Sequence, residues 1–240
     1  MFTIRKASER GQSQLGWLDS RHTFSFSNYH DPAHMGFGVL RVINDDRVKA
    51  GEGFGTHSHR DMEIITYVLD GALEHQDSMG NGSIIHPGDV QHMSAGRGVS
   101  HSEFNASKQE PVRFLQIWVI PERSGGAPRY GQEHYPPETR RGQLRLVASA
   151  DGRDGSLEIA QDASMFTTLL SNGDTVQHTA VPGRRTWIHA ATGMIEVGEH
   201  RLEEGDALGT DEPGVLVLRG SDTDGDGAQA LVFDLPGETP

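Results

Sequence analysis

The 240-residue chain contains no cysteine. That removes disulfides, thiolate metal ligands and cysteine nucleophiles, and it suits a reducing compartment. Any metal site must therefore rest on His, Asp and Glu. Basic charge is scarce as well: 21 Lys and Arg stand against 34 Asp and Glu, for a net charge of −13, and the pI is near 5.4. A phosphate backbone or an anionic membrane repels such a chain on average, and arginines cluster only as Arg140 with Arg141 and Arg184 with Arg185. No direct nucleic-acid or membrane partner is expected. Long apolar runs are missing too, since the best one, Phe114 to Ile120, is broken by Gln116 and closed by Pro121. The stretch from Met1 to Trp17 holds no signal-peptide core, so the expected location is the cytoplasm.

Glycine, by contrast, is abundant at 30 residues, which favours turns and short strands over long helices. Runs rich in β-branched and aromatic residues recur between turn signals at Gly38 to Ile43, Glu63 to Leu69, Arg113 to Ile120, Leu144 to Ala148, Phe166 to Leu170, Thr186 to His189, Gly214 to Leu218 and Ala230 to Leu235. This spacing predicts an all-β sandwich or barrel and excludes βαβ units. Between Pro121 and Gly142 the chain is dense in Pro, Gly and charge, which reads as a linker. A loose internal repeat supports two domains: YVLDGALEHQD and IHPGDVQHM resemble IHAATGMIEVG and LEEGDALGT, each with a Gly turn followed by a Gly-Asp turn. The expected division is 1–125, a linker at 126–142, and a second barrel at 143–240.

The chemistry concentrates in the first half. In His57-Ser58-His59, strand geometry sends both imidazoles to one face, and His101-Ser102-Glu103 repeats the pattern. On neighbouring strands facing inward, His57, His59, His101 and Glu103 converge as three imidazoles and a carboxylate. That set suits one divalent first-row ion and leaves about two octahedral positions open to substrate or dioxygen. Random placement gives roughly 0.7 His-x-His pairs in such a chain, so the pair needs its context. That context is Gly51, Gly53 and Gly55 before it, Glu63 after it, and a Pro-Gly-Asp turn before the second pair.

These stretches resemble the pirins, a bicupin family. The resemblance is carried by HTFSFSNYHDP (22–32), MGFGVLRVINDD (35–46), GFGTHSHRDMEIITYVLDG (53–71), HQDSMGN (75–81) and VQHMSAGRGVSHSE (90–103), and more thinly by RDGSL (153–157) and LVFDLP (231–236). It implies two β-barrel or jelly-roll (cupin) domains, with metal ligands on His57, His59, His101 and Glu103, the same four that the spacing selects. It also implies quercetin 2,3-dioxygenase activity. A flavonol chelating the metal through its 3-hydroxyl and 4-keto oxygens is compatible with the open positions, and Glu103, as ligand or after partial release, is the expected catalytic base for the 3-hydroxyl proton. Fe(II) is the first expectation for the metal, with nickel, copper, cobalt or zinc as alternatives. The rival readings are a metal-loaded redox-sensing protein acting on a transcription or metabolic-enzyme partner, and an enzyme whose physiological substrate is another small chelating enol or phenol.

Other features carry less. Pirins often hold Trp where this chain has His92, expected at the pocket edge or surface. Glu63 is expected behind the ligands or hydrogen-bonded elsewhere, Gln116 and Trp118 share a strand face that could line the pocket, and His22, His30, His34, His75 and His86 read as hydrogen-bonding residues. Asp222, Asp224, Asp226 and Gly227 open like a calcium loop, but its twelfth position is Phe233, so a solvated hairpin loop is expected. Aligned through the repeat, His57 and His59 fall opposite Thr179 and Val181, and His101 and Glu103 opposite Leu218 and Gly220, so the second barrel is expected to hold no metal.

Overall fold

The computed structural model describes residues 2–221 and 227–237. It forms two compact units, one of Gly11–His134 with Ile159–Gln161, the other of Met1–Arg10, Tyr135–Glu158 and Asp162–Pro240. No helix among the described residues is long and apolar enough to cross a membrane.

After β1 (Thr3–Arg5), which joins the other unit, the first unit is built from β2 (Gly11–Gln14), β3 (Leu18–His22), β4 (Leu40–Val48), β5 (Gly53–His59), β6 (Glu63–Asp70), β7 (Leu73–Asp77), β8 (Gly82–Ile85), β9 (Asp89–Ser94), β10 (Val99–Asn105), β11 (Val112–Val119) and β12 (Arg129–His134). They make a seven-stranded sheet in the order β12-β9-β6-β11-β4-β3-β2 and a four-stranded sheet β5-β10-β7-β8. The central strands are β-branched and buried on both faces; in β6, Glu63 to Val68 are all buried. The inward face of the large sheet is layered by its register. Ser20, Asp46, Phe114 and Val68 form one row, and His22, Asn44, Gln116, Thr66 and Gln91 form the next. The first row leads down to an apolar core of Leu18, Val48, Val68, Leu73, Ile85, Val112 and Phe114. The second row is polar, and it faces the site.

The second unit uses β13 (Arg145–Ser149), β14 (Leu157–Glu158), β15 (Ser164–Leu170), β16 (Thr175–Ala180), β17 (Arg184–Thr192), β18 (Ile195–Val197), β19 (His200–Leu202), β20 (Ala207–Thr210), β21 (Gly214–Gly220) and β22 (Ala228–Pro236). Its sheets run β1-β20-β17-β22-β15-β13-β14 and β16-β21-β18-β19, which matches the first unit position by position. The repeat is thus a repeat of fold. Its Gly-Asp turns explain why it is visible in sequence: Gly88 and Gly205 both adopt positive φ (98° and 83°). In each turn the following Asp accepts a backbone N–H three residues back, His86 to Asp89 at 2.8 Å and Glu203 to Asp206 at 3.1 Å.

Three segments differ from the sequence-based division. The expected linker at 126–142 contains β12, which pairs with β9 from Arg129↔Ser94 to His134↔Asp89. An edge strand needs backbone partners more than apolar alternation, so RYGQEH pairs with no hydrophobic pattern to announce it. The first ten residues belong to the second unit: β1 pairs with β20, and Asp206 accepts from Lys6 Nζ and the Ala7 amide, each at 2.7 Å. Residues Ile159–Gln161 in turn go to the first unit, where Gln161 Nε2 donates to the Ile120 carbonyl at 2.7 Å.

Candidate metal centre

β5 and β10 lie side by side and antiparallel, with His101 opposite His57 and Val99 opposite His59. The register slips between His101 and Glu103, so that Glu103 faces Phe54 and β5 bulges at Gly55 and Thr56. Gly53 permits the close approach beyond the bulge, because a Cβ there would strike the Glu103 carbonyl and Phe104 Cα. The bulge also turns the Gly55 carbonyl toward His57, whose Nδ1–H donates to it at 2.8 Å. That bond fixes the tautomer and leaves the His57 Nε2 lone pair free.

Three imidazoles meet at one point. The ring centroids of His57, His59 and His101 are 4.5 to 4.9 Å apart, and their donor nitrogens all lie within 4.8 Å of one another. His57 Nε2 and His101 Nε2 face each other at 3.0 Å. Two nitrogens bound at about 2.1 Å to one cation in cis positions stand about 3 Å apart, so the donor set fits a first-row ion. Burial, with His57 beside it, pushes His59 down to about 4. Burial together with its three histidine neighbours pushes His101 down to about 2. Both imidazoles are therefore neutral near pH 7, as a metal donor must be.

Glu103 stands slightly apart. Its Oε2 is 3.9 Å from His101 Nε2, and Gln116 Nε2 donates to both its oxygens, at 3.1 and 2.9 Å. Thr66 orients that amide by donating to Gln116 Oε1 at 2.9 Å. Complete burial pushes the Glu103 carboxyl up to about 7, against the lowering effect of Gln116 and Thr66. A cavity of about 340 Å³ opens over the cluster, lined by His57, His59, Glu103, Gln116, Trp118 and Phe54, with Phe26, His22, Asn44 and Asp46 among the remaining wall residues. Trp118 packs edge-on to His59, centroids 5.0 Å apart, and to Phe26 at 5.3 Å.

The structure thus gathers His57, His59 and His101 tightly with Glu103 at their side, and places Gln116 and Trp118 on the pocket wall. His92 is buried, not at an edge or surface: its Nε2–H donates to Glu63 Oε2 at 2.7 Å. Every residue of β9 is buried, so both its faces are covered. Burial works to raise the Glu63 carboxyl, but His92, Ser94 Oγ and the Ala160 amide hold it below the usual range. Glu63 is hydrogen-bonded there, away from the histidine cluster. His22 bonds Asn44 and Ser13, and His34 bonds Asp31, each at 2.8 Å. The aspartates of the candidate calcium loop, Asp222, Asp224 and Asp226, lie outside the described residues. In the second unit the inward positions of β16 and β21 carry Val176, Ala180, Leu216 and Leu218, which offer no lone pairs, and a His178 that bonds Thr186 Oγ1 at 3.1 Å.

His75 was underestimated by sequence reasoning. It is completely buried behind His101, with the two Nδ1 atoms 3.4 Å apart and its own Nε2 3.5 Å from Asp77 Oδ2. Asp77 is held in turn by Asn81 and the Met79 amide. A proton on His75 Nε2 directed at Asp77 makes His75 Nδ1 an acceptor, which places the His101 proton on Nδ1 and clears His101 Nε2. The strand alternation of His75 and Asp77 was the available signal. His75, His101 and Glu103 also form a close trio, but the two faces of His101 are distinct: Nε2 looks toward His57 and Glu103, and Nδ1 toward His75.

Two β-sandwich units of matching strand order, one with a histidine cluster beneath an open pocket, define a bicupin. The chain belongs to the pirin family: the Pirin family profile matches residues 3–119, and the quercetinase C-terminal cupin domain profile matches residues 146–235. It is 46% identical over 237 residues to a quercetin 2,3-dioxygenase of Escherichia coli strain K12, covering 98% of this chain and 99% of that one. It is 41% identical over 219 residues to a pirin-like protein of Caulobacter vibrioides, covering 91% and 94%. Among solved structures, the bacterial pirin YhhW of Escherichia coli in complex with nickel(II) superposes with a TM-score of 0.92 at 45% identity, covering 99% of this chain and 100% of that one. Hazelnut vicilin, at 11% identity, 97% and 85% coverage and a TM-score of 0.66, shares the fold alone.

Proposed function

We propose that the protein is a metal-dependent dioxygenase that cleaves a flavonol of the quercetin type. The observation that carries the reading is the convergence of three neutral imidazoles and a buried carboxyl under a cavity with aromatic walls, in a chain whose relatives include a quercetin 2,3-dioxygenase. His57, His59 and His101 would hold the ion, with Glu103 as fourth ligand or close neighbour, and His75 and Asp77 would keep His101 in the ligating tautomer. Fe(II) and nickel(II) both suit such a set, and the nickel(II) complex of YhhW supports a divalent ion. When bound, the ion would polarise the chelating oxygens of the flavonol and make its 3-hydroxyl more acidic.

The protein's own groups supply the rest. Trp118, Phe54 and Phe26 offer flat apolar walls to a planar ring system, and the same walls shield it from water. Glu103 takes the 3-hydroxyl proton on a carboxylate oxygen; its raised affinity for a proton suits it as a base near neutral pH. Gln116 keeps both oxygens aimed. Elemental analysis of natively expressed protein with a quercetin assay, without and then with air, tests the reading. Oxygen-dependent loss of quercetin that tracks metal content supports it; metal-replete protein that leaves quercetin intact rejects it.

A further inference from the structure

One carboxyl in the pocket has no part in the chemistry above. Asp46 on β4 is 4% exposed and lines the same cavity as Glu103. Its Oδ1 has no hydrogen-bond partner. The groups that bear on it are the Ser20 hydroxyl, Asp45 and Glu103, which include no cation. Asp45 points to the opposite face of the sheet and takes both forks of Arg113, at 2.9 and 2.8 Å, so that guanidinium is committed elsewhere. In the adjoining row His22 is committed as well: its Nδ1 bonds Asn44 Oδ1, and its Nε2 bonds Ser13 Oγ. No Lys or Arg is among the described residues that line the cavity.

A buried carboxyl oxygen without a donor costs free energy that an ordinary structural position avoids. In a ligand pocket it marks the place of a donor carried by the ligand. Two acids in a cavity whose lining holds no Lys or Arg disfavour an anionic ring substituent, whereas aromatic walls favour a flat apolar ring. A ring bearing a hydroxyl satisfies both conditions. We propose that Asp46 seats a phenolic hydroxyl of the substrate remote from the chelating oxygens, so that the pocket selects polyhydroxylated aromatics over the unsubstituted ring system. The proposal rests on the flavonol reading for the identity of the ring, and on Asp46 alone for the hydroxyl.

The test is anaerobic titration of the metal-loaded protein with quercetin, which carries ring hydroxyls besides the chelating one, and with 3-hydroxyflavone, which carries none. The parent should bind quercetin about tenfold or more tightly than 3-hydroxyflavone, as a hydrogen bond to a buried acid implies. Asp46→Leu should reduce that preference to about twofold while leaving the 3-hydroxyflavone affinity in place, and Asp46→Asn, which preserves shape should Asp46→Leu fold poorly, should fall between. An equal preference in parent and variants overturns the proposal, as does a change in thermal stability alone. If neither flavonol binds the parent, the flavonol reading fails and the subsite is judged by resorcinol, a diphenol that cannot chelate, against 1,3-dimethoxybenzene in saturation-transfer NMR. A resorcinol signal lost on Asp46→Asn supports the subsite; a signal retained, or absent in the parent, overturns it.

Discussion

At the scale of single residues, function depends on how few hydrogen-bond partners each buried group is given. Glu103 has donors on both oxygens and Asp46 lacks one for Oδ1, and burial drives both acids to about 7. For Asp46 the folded value lies above the ordinary 3.8, so the folded state holds its proton more tightly than the unfolded chain. The associated stability is complete below about pH 4 and is lost as pH rises through about 7. Metal-free Asp46→Asn should therefore gain on the metal-free parent over that window, by on the order of a few kcal/mol; denaturation midpoints that keep a constant offset from pH 4 to 8 would contradict the assigned burial cost. Glu103→Gln should retain the metal yet lose about 10²-fold or more in flavonol turnover, since it removes the base and keeps the shape. Undiminished turnover with metal bound excludes that role. His75→Phe should weaken metal binding by about 10- to 100-fold while the fold persists, read by competition with a chromophoric chelator. The clustering of His57, His59 and His101 was legible because two x-spaced pairs announce themselves. The places of His75 and Asp46 were not, because strand alternation gives the face of His75 but not its neighbour, and an acid aimed at a pocket reads like a surface one.

At the scale of elements, the apolar strands were legible and the polar ones were not. Each of the eight runs read from sequence overlaps an observed strand, because β4, β6, β11, β13, β15, β17, β21 and β22 must bury apolar side chains. β7, β8 and β12 hold LEHQD, GSII and RYGQEH, whose pairing is driven by backbone partners that leave little trace in composition. The bulge between Phe54 and His57 was equally hidden, although Gly53 and Gly55 hinted at it. It is the bulge that aims His57, and Gly53 accommodates its consequence. Gly53→Val should therefore force β5 from β10, costing about 1–3 kcal/mol of stability and loosening metal affinity along with it. Gly55→Ala, where a Cβ meets nothing within 4 Å, should be mild. Chemical denaturation with metal titration on both variants checks the contrast, and a Gly53→Val protein as stable and as tight as the parent would remove the close approach from the account.

At the scale of the whole molecule, one strand order serves two ends. The same seven-plus-four arrangement places His57, His59 and His101 inward in one unit and Val176, Ala180, Leu216 and Leu218 inward in the other. The doubling was legible from the Gly-Asp turns, but the exchange of chain between units was not, because a reading along the sequence assigns residues to domains in order. A fold that needs apolar side chains at these positions for its core gives up packing where it installs imidazoles, and an ion that binds only the folded state returns stability in proportion to its concentration over its Kd. At a hundredfold excess over Kd the gain is about 2.7 kcal/mol. Removing the ion with a chelator should thus lower the thermal midpoint, and hydrogen exchange should quicken in β5 and β10, which carry the proposed ligands, while β16 and β21 stay as they were. Equal acceleration in both pairs of strands, or none in either, would mean that the ion does not rest on His57, His59 and His101.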